Sequence, residues 1–166
     1  MSNLSTLVIS PLSSDHDRLG FECGDASLNN YLQKLARQDV KRRISRVFVA
    51  TTAQEPKDIL GYYTLSSLSI ELSYLPSKLA DKLPKHPVPA ALVGRLAVHK
   101  MFQQKGIGKI LLVDAIKRTL SISEEIAIYA MVVDAIDENA KTFYEQFGFN
   151  QLNSMDMRLF LPLKSV

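Results

Sequence analysis

Apolar and polar positions follow two periods along this chain, and the periods predict strands and helices in turn. Runs rich in β-branched and aromatic residues predict six strands, at Thr6–Pro11, Arg46–Thr52, Ile59–Leu72, Ala90–His99, Ile126–Asp134 and Met157–Leu163. Apolar residues three and four positions apart predict helices capped by Asp25, over Gly106–Leu120 and over Asn139–Phe147. Three prolines within Leu75–Pro89 predict a short helix and a loop. This order of elements predicts an α/β fold, a mixed sheet covered by helices.

The size and composition fit one globular domain, which we expect to span residues 1–166. No apolar run approaches the roughly 18 residues that a membrane span requires, and Met1–Pro11 does not have the pattern of a secretion signal. The chain has one cysteine, Cys23, and three histidines that are far apart. We therefore expect a cytoplasmic protein with no membrane partner and no metal site.

Positive charge is concentrated in one segment. Six basic residues lie there against one acid, Asp39, and six less one leaves +5, more than the net charge of +3 of the whole chain. The six are Lys34, Arg37, Lys41, Arg42, Arg43 and Arg46. Such a cluster attracts polyanions, although a solvated helix face has the same pattern, and the sequence leaves both interpretations open.

The segment Gly94–Leu112 combines a strand, a polar turn and the start of a helix. Gly106 and Gly108 allow a ligand to approach the backbone closely. The free N–H groups and the dipole at the N-terminus of a helix favour an anion, so a pyrophosphate is the expected ligand. Glycines before a helix are also ordinary turn chemistry, and the segment has neither the dinucleotide fingerprint nor the triphosphate loop motif.

Gln103-x-x-Gly106-x-Gly108, following Leu96-Ala97-Val98, resembles the coenzyme A signature of the GNAT N-acetyltransferases. The resemblance implies a GNAT-like, mostly antiparallel sheet with a splayed central strand, and acetyl-CoA as acetyl donor. It implies that the strand residues hold the acetyl and pantetheine portion. It implies that the pyrophosphate is wrapped by Gln103, Gln104, Lys105, Gly106, Ile107, Gly108 and Lys109. Gln104 stands where many family members have glycine.

A second element, Asn139-Ala140-Lys141-x-Phe143-Tyr144-x-x-Phe147-Gly148-Phe149, is similar to the closing helix of the same family. The resemblance implies that Tyr144 protonates the departing thiolate and that Asn139 bonds the amide arm of the cofactor, with Phe143 beside it. A phenol with a pKa of about 10 is a suitable donor at neutral pH. Spacing alone favours a core aromatic residue at Tyr144, beside Phe143 and Phe147.

The predicted strand Ala90–His99 carries no carboxylate that could act as general base, and Glu71, at the end of the preceding strand, is the nearest acid. An α-amine with a pKa of about 8 is partly neutral at physiological pH, whereas a lysine amine with a pKa of about 10.4 is mostly protonated. The missing acid therefore favours an α-amine as acceptor, although a water relay would also serve.

From Phe21 to Phe149 the chain is similar to the aminoacyl-tRNA-acetylating toxins of bacterial toxin–antitoxin pairs. The similarity rests on Phe21-x-Cys23-Gly24, Gly61-Tyr62-Tyr63-Thr64-Leu65-Ser66 and Gly94-Arg95-Leu96. It implies an aminoacyl-tRNA substrate, blocked translation, and a ribbon-helix-helix antitoxin whose complex binds operator DNA. A homodimer is compatible with the sequence, which leaves the oligomeric state open. The basic cluster and Arg95 are then the candidate RNA contacts. The alternatives are a general acetyltransferase of small amines or protein N-termini, and a non-catalytic acyl-CoA- or nucleic-acid-binding module.

Overall fold

The computed structural model describes residues 6–166 and divides into two compact units. The first unit comprises the chain up to Leu65 together with Arg95–Ala115, and the second comprises Ser66–Gly94 and Ile116–Val166. One strand and one helix each contribute residues to both units.

Eight strands form one sheet in the order β1-β2-β3-β4-β6-β8-β7, with β5 paired to β3 beside this path. The pair β4 and β6 is parallel and all other pairs are antiparallel, which confirms the predicted mixed, mostly antiparallel sheet. The strands are β1 (Leu7–Pro11), β2 (Arg46–Thr52), β3 (Gly61–Ile70), β4 (Val88–Val93), β5 (Leu96–Val98), β6 (Ala130–Asp134), β7 (Asn150–Gln151) and β8 (Arg158–Pro162).

The prediction of one strand over Ala90–His99 is wrong, because the strand is interrupted at Gly94 and Arg95 and forms β4 and β5. The parallel pairing of β4 with β6 ends at the pair Val93 and Val133. Beyond the break, β5 pairs with β3 alone among the strands of the described residues. This separation is the splayed central strand that the sequence implied.

The helices also follow the apolar pattern. Asp25 caps the first helix as predicted, because its side chain accepts the N–H of Leu28 at 3.0 Å. That helix is composite, with α1 (Ala26–Asn30), a π-helical segment (Tyr31–Leu35) and α2 (Ala36–Lys41). The others are α3 (Ser77–Ala80), α4 (Ile107–Ile122) and α5 (Glu138–Glu145).

Each unit buries its own apolar core. The core of the first unit packs the composite helix against β2, β3 and β5, and its largest fully buried residues include Phe21, Leu32 and Tyr62. The core of the second unit lies around β4, β6 and β8, with Ile70, Val132 and Phe160 among its members. Burial of these aliphatic and aromatic side chains is the main source of stability in each unit.

Four of the predicted strands are longer than the observed ones, among them Ile126–Asp134, of which β6 covers only Ala130–Asp134. Ile126–Ile128 precede β6, and Ile126 is 65% exposed, so this part of the apolar run does not belong to a buried strand. The two-residue strand β7 was not predicted, because two polar residues carry no periodic signal. In residues 6–166, no helix has both the length and the apolar character needed to cross a bilayer.

Candidate active site

The strand β5 offers backbone groups along one edge. His99 donates its N–H to Leu60 and the carbonyl of Arg95 accepts the N–H of Thr64, so the backbone groups of these residues point toward β3. An antiparallel ladder alternates, and the polar groups of Leu96 and Val98 therefore point the other way. Amide groups on that edge are placed to pair with an extended, amide-containing chain such as pantetheine.

The turn after β5 presents N–H groups at the start of α4. The helical hydrogen bonds of α4 begin with the N–H of Ile110, which donates to the carbonyl of Gly106 at 3.1 Å. The amides of Ile107, Gly108 and Lys109 come before this first bond. Gly106 has a φ of +84°, and a Cβ added there would meet no heavy atom within 4 Å. The backbone at Gly106 is thus open on one side, next to the positive end of a 16-residue helix.

The side chain of Gln103 has a structural role in the turn. Its amide nitrogen donates to the carbonyl oxygens of Cys23 at 2.8 Å and Val98 at 2.9 Å. The side chain therefore ties the turn to β5, which leaves the backbone of Gln103 as its means of contacting a ligand.

Gln104 adopts a φ of +62°, in the left-handed region that glycine enters without cost. This conformation gives a physical reason for the glycine that many family members have at this position. Here the turn holds a left-handed conformation with a side chain in place.

Two lysines flank the turn. The ammonium of Lys105 lies 5.6 Å from the ring centroid of Phe102, and both Lys105 and Lys109 are exposed. Exposed ammonium groups next to a helix N-terminus add to its attraction for an anion.

In the second unit, Tyr144 lies on α5 and is 3% exposed. Its ring packs edge-on against Phe143 and Phe149. Burial, with a smaller contribution from the charge of Asp134, raises the pKa of Tyr144 well above its ordinary value. Within residues 6–166 its hydroxyl has no hydrogen-bond partner, so the group is a protonated donor at neutral pH.

Asn139 and Phe143 lie one turn apart on α5, on the same face of the helix. Asn139 is exposed in the first turn, which is capped by the side chain of Asp137 through the N–H of Ala140. Phe143 is half-buried and packs edge-on against Phe147. The same face of α5 thus carries the exposed amide of Asn139 and, one turn later, the half-buried ring of Phe143.

The basic cluster is exposed, as a binding surface requires. All six of its basic side chains are exposed on or after the composite helix, whereas Asp39 accepts a hydrogen bond from Tyr31 at 2.8 Å. A groove of about 640 Å³ lies between Arg37, Lys41 and Arg18. Sequence reasoning missed Arg18, because it is isolated from the cluster in sequence and only the fold brings it to the same groove.

Among the described residues, no group of three histidine, cysteine or acidic side chains could hold a metal ion. Glu71 follows β3 and is exposed.

Residues 43–151 match the family model of the GNAT acetyltransferase domain. The chain belongs to the GNAT acetyltransferases. It is accordingly an N-acetyltransferase, and the strand, glycine turn and closing helix described above all lie within the matched residues.

Curated relatives of this GNAT chain are toxins. It is 30% identical to the probable toxin TacT of Sinorhizobium fredii, over 96% of this chain and 92% of the relative. It is 33% identical to the tRNA-acetylating toxin of Mycobacterium tuberculosis, over 92% of this chain and 90% of the relative. The likeness to toxins therefore extends over nearly the whole chain.

Solved GNAT toxins have the same fold. AtaT complexed with acetyl-methionyl-tRNAfMet has a TM-score of 0.89 and 31% identity, covering 96% of both chains. A mutant of AtaT bound to the C-terminus of the antitoxin AtaR and acetyl-CoA has a TM-score of 0.82 and 28% identity, covering 96% and 95%. The KacTA–DNA complex has a TM-score of 0.81 and 30% identity, covering 96% and 94%.

Proposed function

We propose that this GNAT enzyme is an acetyl-CoA-dependent toxin that acetylates the α-amine of aminoacyl-tRNA and thereby blocks translation. The observation that carries the proposal is the turn before α4. There Gly106, at a φ of +84° with open space beside it, precedes amides that point out of the helix end. A diphosphate fits that arrangement.

In this proposal acetyl-CoA binds along β5 and the turn. Leu96 and Val98 hold the acetyl and pantetheine portion through backbone groups that face away from β3, and Ala97 lies between them on the strand. The backbone of Gln103–Lys109 wraps the pyrophosphate, with Lys105 and Lys109 at its rim. Asn139 and Phe143 contact the arm of the cofactor. The AtaT mutant in complex with acetyl-CoA supports this choice of donor.

The chemistry then needs one proton donor. The neutral α-amine attacks the thioester carbonyl, a C–N bond forms, and the C–S bond breaks. The thiolate takes the phenolic proton of Tyr144, and the proton lost by the amine passes to water, which restores the phenol. A hydroxyl that has no partner among the described residues and a raised pKa suits a donor that is never ionised at working pH.

Surface charge and the relatives both favour an RNA-linked acceptor. The exposed residues Lys34, Arg37, Lys41, Arg42, Arg43 and Arg46, with Arg18 and Arg95, supply the cations that an RNA backbone requires. AtaT has been solved with an acetylated aminoacyl-tRNA, and the Mycobacterium relative is a tRNA-acetylating toxin. An α-amine reacts without a carboxylate base because it is partly neutral at physiological pH.

The proposal extends to the partners and the location. A ribbon-helix-helix antitoxin would neutralise the enzyme, and their complex would bind operator DNA. The AtaT complex with AtaR and the KacTA–DNA complex support these two partners. The substrate places the active enzyme in the cytoplasm, as one domain over residues 1–166 that can pair with a second copy.

Acetyl transfer from labelled acetyl-CoA tests the proposal. The pure protein is incubated with total tRNA that is either aminoacylated or deacylated, and RNA-bound label is counted after acid precipitation. Label should appear on charged tRNA alone, and mild base, which cleaves the aminoacyl ester, should release it as the N-acetyl amino acid.

Two other outcomes would contradict the proposal. Turnover of small amines or peptide N-termini without labelled tRNA would identify a general N-acetyltransferase. Binding of acetyl-CoA with no release of free CoA on any acceptor would identify a non-catalytic module. Added salt separates a general N-acetyltransferase from the toxin, because binding of RNA falls steeply with salt whereas turnover of small amines should change little.

A further inference from the structure

Arg95 has an unusual setting for an arginine in the middle of a sheet. Its guanidinium carbon lies 3.6 Å from the ring centroid of Tyr31, so the planar group stacks on the aromatic face. Its backbone is fixed by two hydrogen bonds with the buried Thr64, one to the side-chain oxygen at 3.1 Å and one from the N–H at 3.0 Å. Both ends of the residue are therefore held.

The platform under Arg95 is itself rigid. Tyr31 is 2% exposed, and its hydroxyl donates to Asp39 at 2.8 Å. Its ring is nearly parallel to that of the buried Tyr62, with centroids 6.4 Å apart. Burial raises the pKa of Tyr31 to about 12, with Asp39 adding to the effect, so the phenol keeps its proton and its bond to Asp39 at working pH.

Tyr31 also begins the π-helical segment, where the N–H of Ala36 bonds to the carbonyl of Tyr31. A π turn is uncommon and is frequently found at functional sites. It lies between Tyr31 and Asp39, the two residues that the hydrogen bond joins.

The hydrogen-bonding edge of Arg95 is unused. In residues 6–166 no carboxylate lies within ion-pair distance of the guanidinium, and no side-chain hydrogen bond engages it. Arg95 is thus not the ion-pair partner of an acid in the described part of the chain. A half-buried guanidinium with one face on a ring and its five N–H donors available is suited to a phosphate.

The position of Arg95 indicates which phosphate it would bind. Arg95 precedes β5, while the pyrophosphate turn follows that strand, and three strand residues span about 10 Å. The anion at Arg95 is therefore a different one from the diphosphate of the cofactor. It lies next to Leu96, at the end of the strand where the proposed acetyl group sits.

We propose that Arg95, held in place by Tyr31 and Asp39, binds the phosphodiester nearest the 3′ end of the aminoacyl-tRNA and so orients the reacting α-amine. The inference rests on the proposed function and deepens it. Arg95 is then a specificity-determining residue, since it separates an aminoacyl ester on RNA from a free amine. Tyr31 and Asp39 are positioning residues, which act through the arginine.

The test compares two acceptors that differ in phosphate. Arg95→Gln should lower kcat/KM for aminoacyl-tRNA at least 10-fold but leave turnover of an aminoacyl-adenosine, which has no phosphodiester, unchanged. Arg95→Lys should recover only part of the loss, because an ammonium neither stacks flat nor binds in the same planar fashion. Tyr31→Leu, which removes the platform, should resemble Arg95→Gln, and Tyr31→Phe, which keeps the ring, should lose only a few-fold.

A second readout reports the contact directly. The slope of log kcat/KM for aminoacyl-tRNA against log salt should fall in magnitude by about 0.7 in Arg95→Gln, the value for one single-strand phosphate. Lys85→Gln removes the same charge from an exposed loop position and should leave the slope as it is. Thermal unfolding and acetyl-CoA affinity, measured on each variant, identify any that misfold.

The outcomes separate the two proposals. A wild-type enzyme that does not acetylate aminoacyl-tRNA contradicts the proposed function. A wild-type enzyme that does, with an unchanged salt slope in Arg95→Gln, contradicts this inference alone. Equal losses with both acceptors also contradict it, and if aminoacyl-adenosine is not a substrate the salt slope decides.

Discussion

Arg158 binds Asp134 through two parallel hydrogen bonds, from Nε to Oδ1 at 2.7 Å and from Nη2 to Oδ2 at 2.9 Å. The residues are direct partners in the pairing of β6 with β8. The pair thus fastens the end of β6, four residues before α5 begins.

Removing this pair should cost a modest amount of stability. Both side chains are about one-third exposed (33% and 35%), so we expect Arg158→Ala to lose about 1 kcal/mol. For a chain of this length that corresponds to a fall in Tm of about 2–4 °C by calorimetry. Lys164→Ala, an exposed charge near the C-terminus, is the control and should leave Tm unchanged. An equal effect in both variants would contradict a specific role for the pair.

Tyr144→Phe should slow acetyl transfer by about 100-fold or more, because a positioned general acid contributes roughly 10²–10⁴ to rate. The ring packing against Phe143 and Phe149 is retained, so folding and acetyl-CoA affinity should stay close to wild type. Stopped-flow or quench measurement of kcat checks this. Tyr129→Phe removes a hydroxyl from a half-buried tyrosine away from α5 and should keep full activity. Comparable rates in the two variants would exclude Tyr144 as donor.

The pH profile follows from the raised pKa of Tyr144. A raised pKa keeps the phenol protonated to higher pH, so the proton donor should not be lost below about pH 10. The acceptor amine loses its proton near pH 8, which makes the rate rise through that region. Values of kcat/KM, obtained from initial rates between pH 6 and pH 10, should therefore rise with pH and reach a plateau. A falling limb centred below pH 9.5 would show that the donor has a lowered pKa.

Gly106→Ala should both strain the backbone and weaken the binding of acetyl-CoA. A left-handed residue with a Cβ costs about 1–2 kcal/mol, and the added methyl group would occupy the open side of the turn where we place the diphosphate. Calorimetric titration should show acetyl-CoA affinity lowered at least 10-fold. Gly24→Ala is the matched control, because Gly24 has a φ of +93° and equally open space. It should lose similar stability but retain affinity, and equal affinity in both variants would argue against a diphosphate at Gly106.

Gln103→Glu should weaken acetyl-CoA binding more than Gln103→Ala does. A carboxylate cannot donate to the carbonyl oxygens of Cys23 and Val98, and it adds a negative charge beside the proposed pyrophosphate. We expect at least a 10-fold loss for the glutamate and a few-fold loss for the alanine, by titration. Gln146→Glu places the same charge at the end of α5 and should have little effect on affinity. If the alanine variant lost more acetyl-CoA affinity than the glutamate variant, the proposed pyrophosphate beside Gln103 would be contradicted.

Elements with a local signal were predictable from sequence. The strand Arg46–Thr52 has the predicted bounds, and the cap at Asp25 has the expected hydrogen bond, since both depend on neighbouring residues alone. The break at Gly94 was missed, because the apolar run continues on both sides of it and only pairing with two different halves of β3 reveals it.

The candidate site divides in the same way. The glycine turn and the helix with Tyr144 are contiguous motifs that the sequence displays. The stacking of Arg95 on Tyr31 joins residues 64 positions apart, and Arg18 reaches the groove beside Arg37 only in the fold. The π register leaves no mark in the apolar pattern, because Leu28, Leu32 and Ala36 still face the core.

The π-helical segment makes the direction of the later turns depend on hydrogen-bond register. Its turn holds one residue more than an α turn, and each residue of an α-helix advances the surface by about 100°. If the same residues formed a regular α-helix, everything after Leu35 would be rotated by about that angle. Asp39 would leave the hydroxyl of Tyr31, and Arg37 and Lys41 would turn away from Arg18. The π turn thus sets the rotational phase of the cationic surface, and a regular helix of the same sequence would present its charges in another direction.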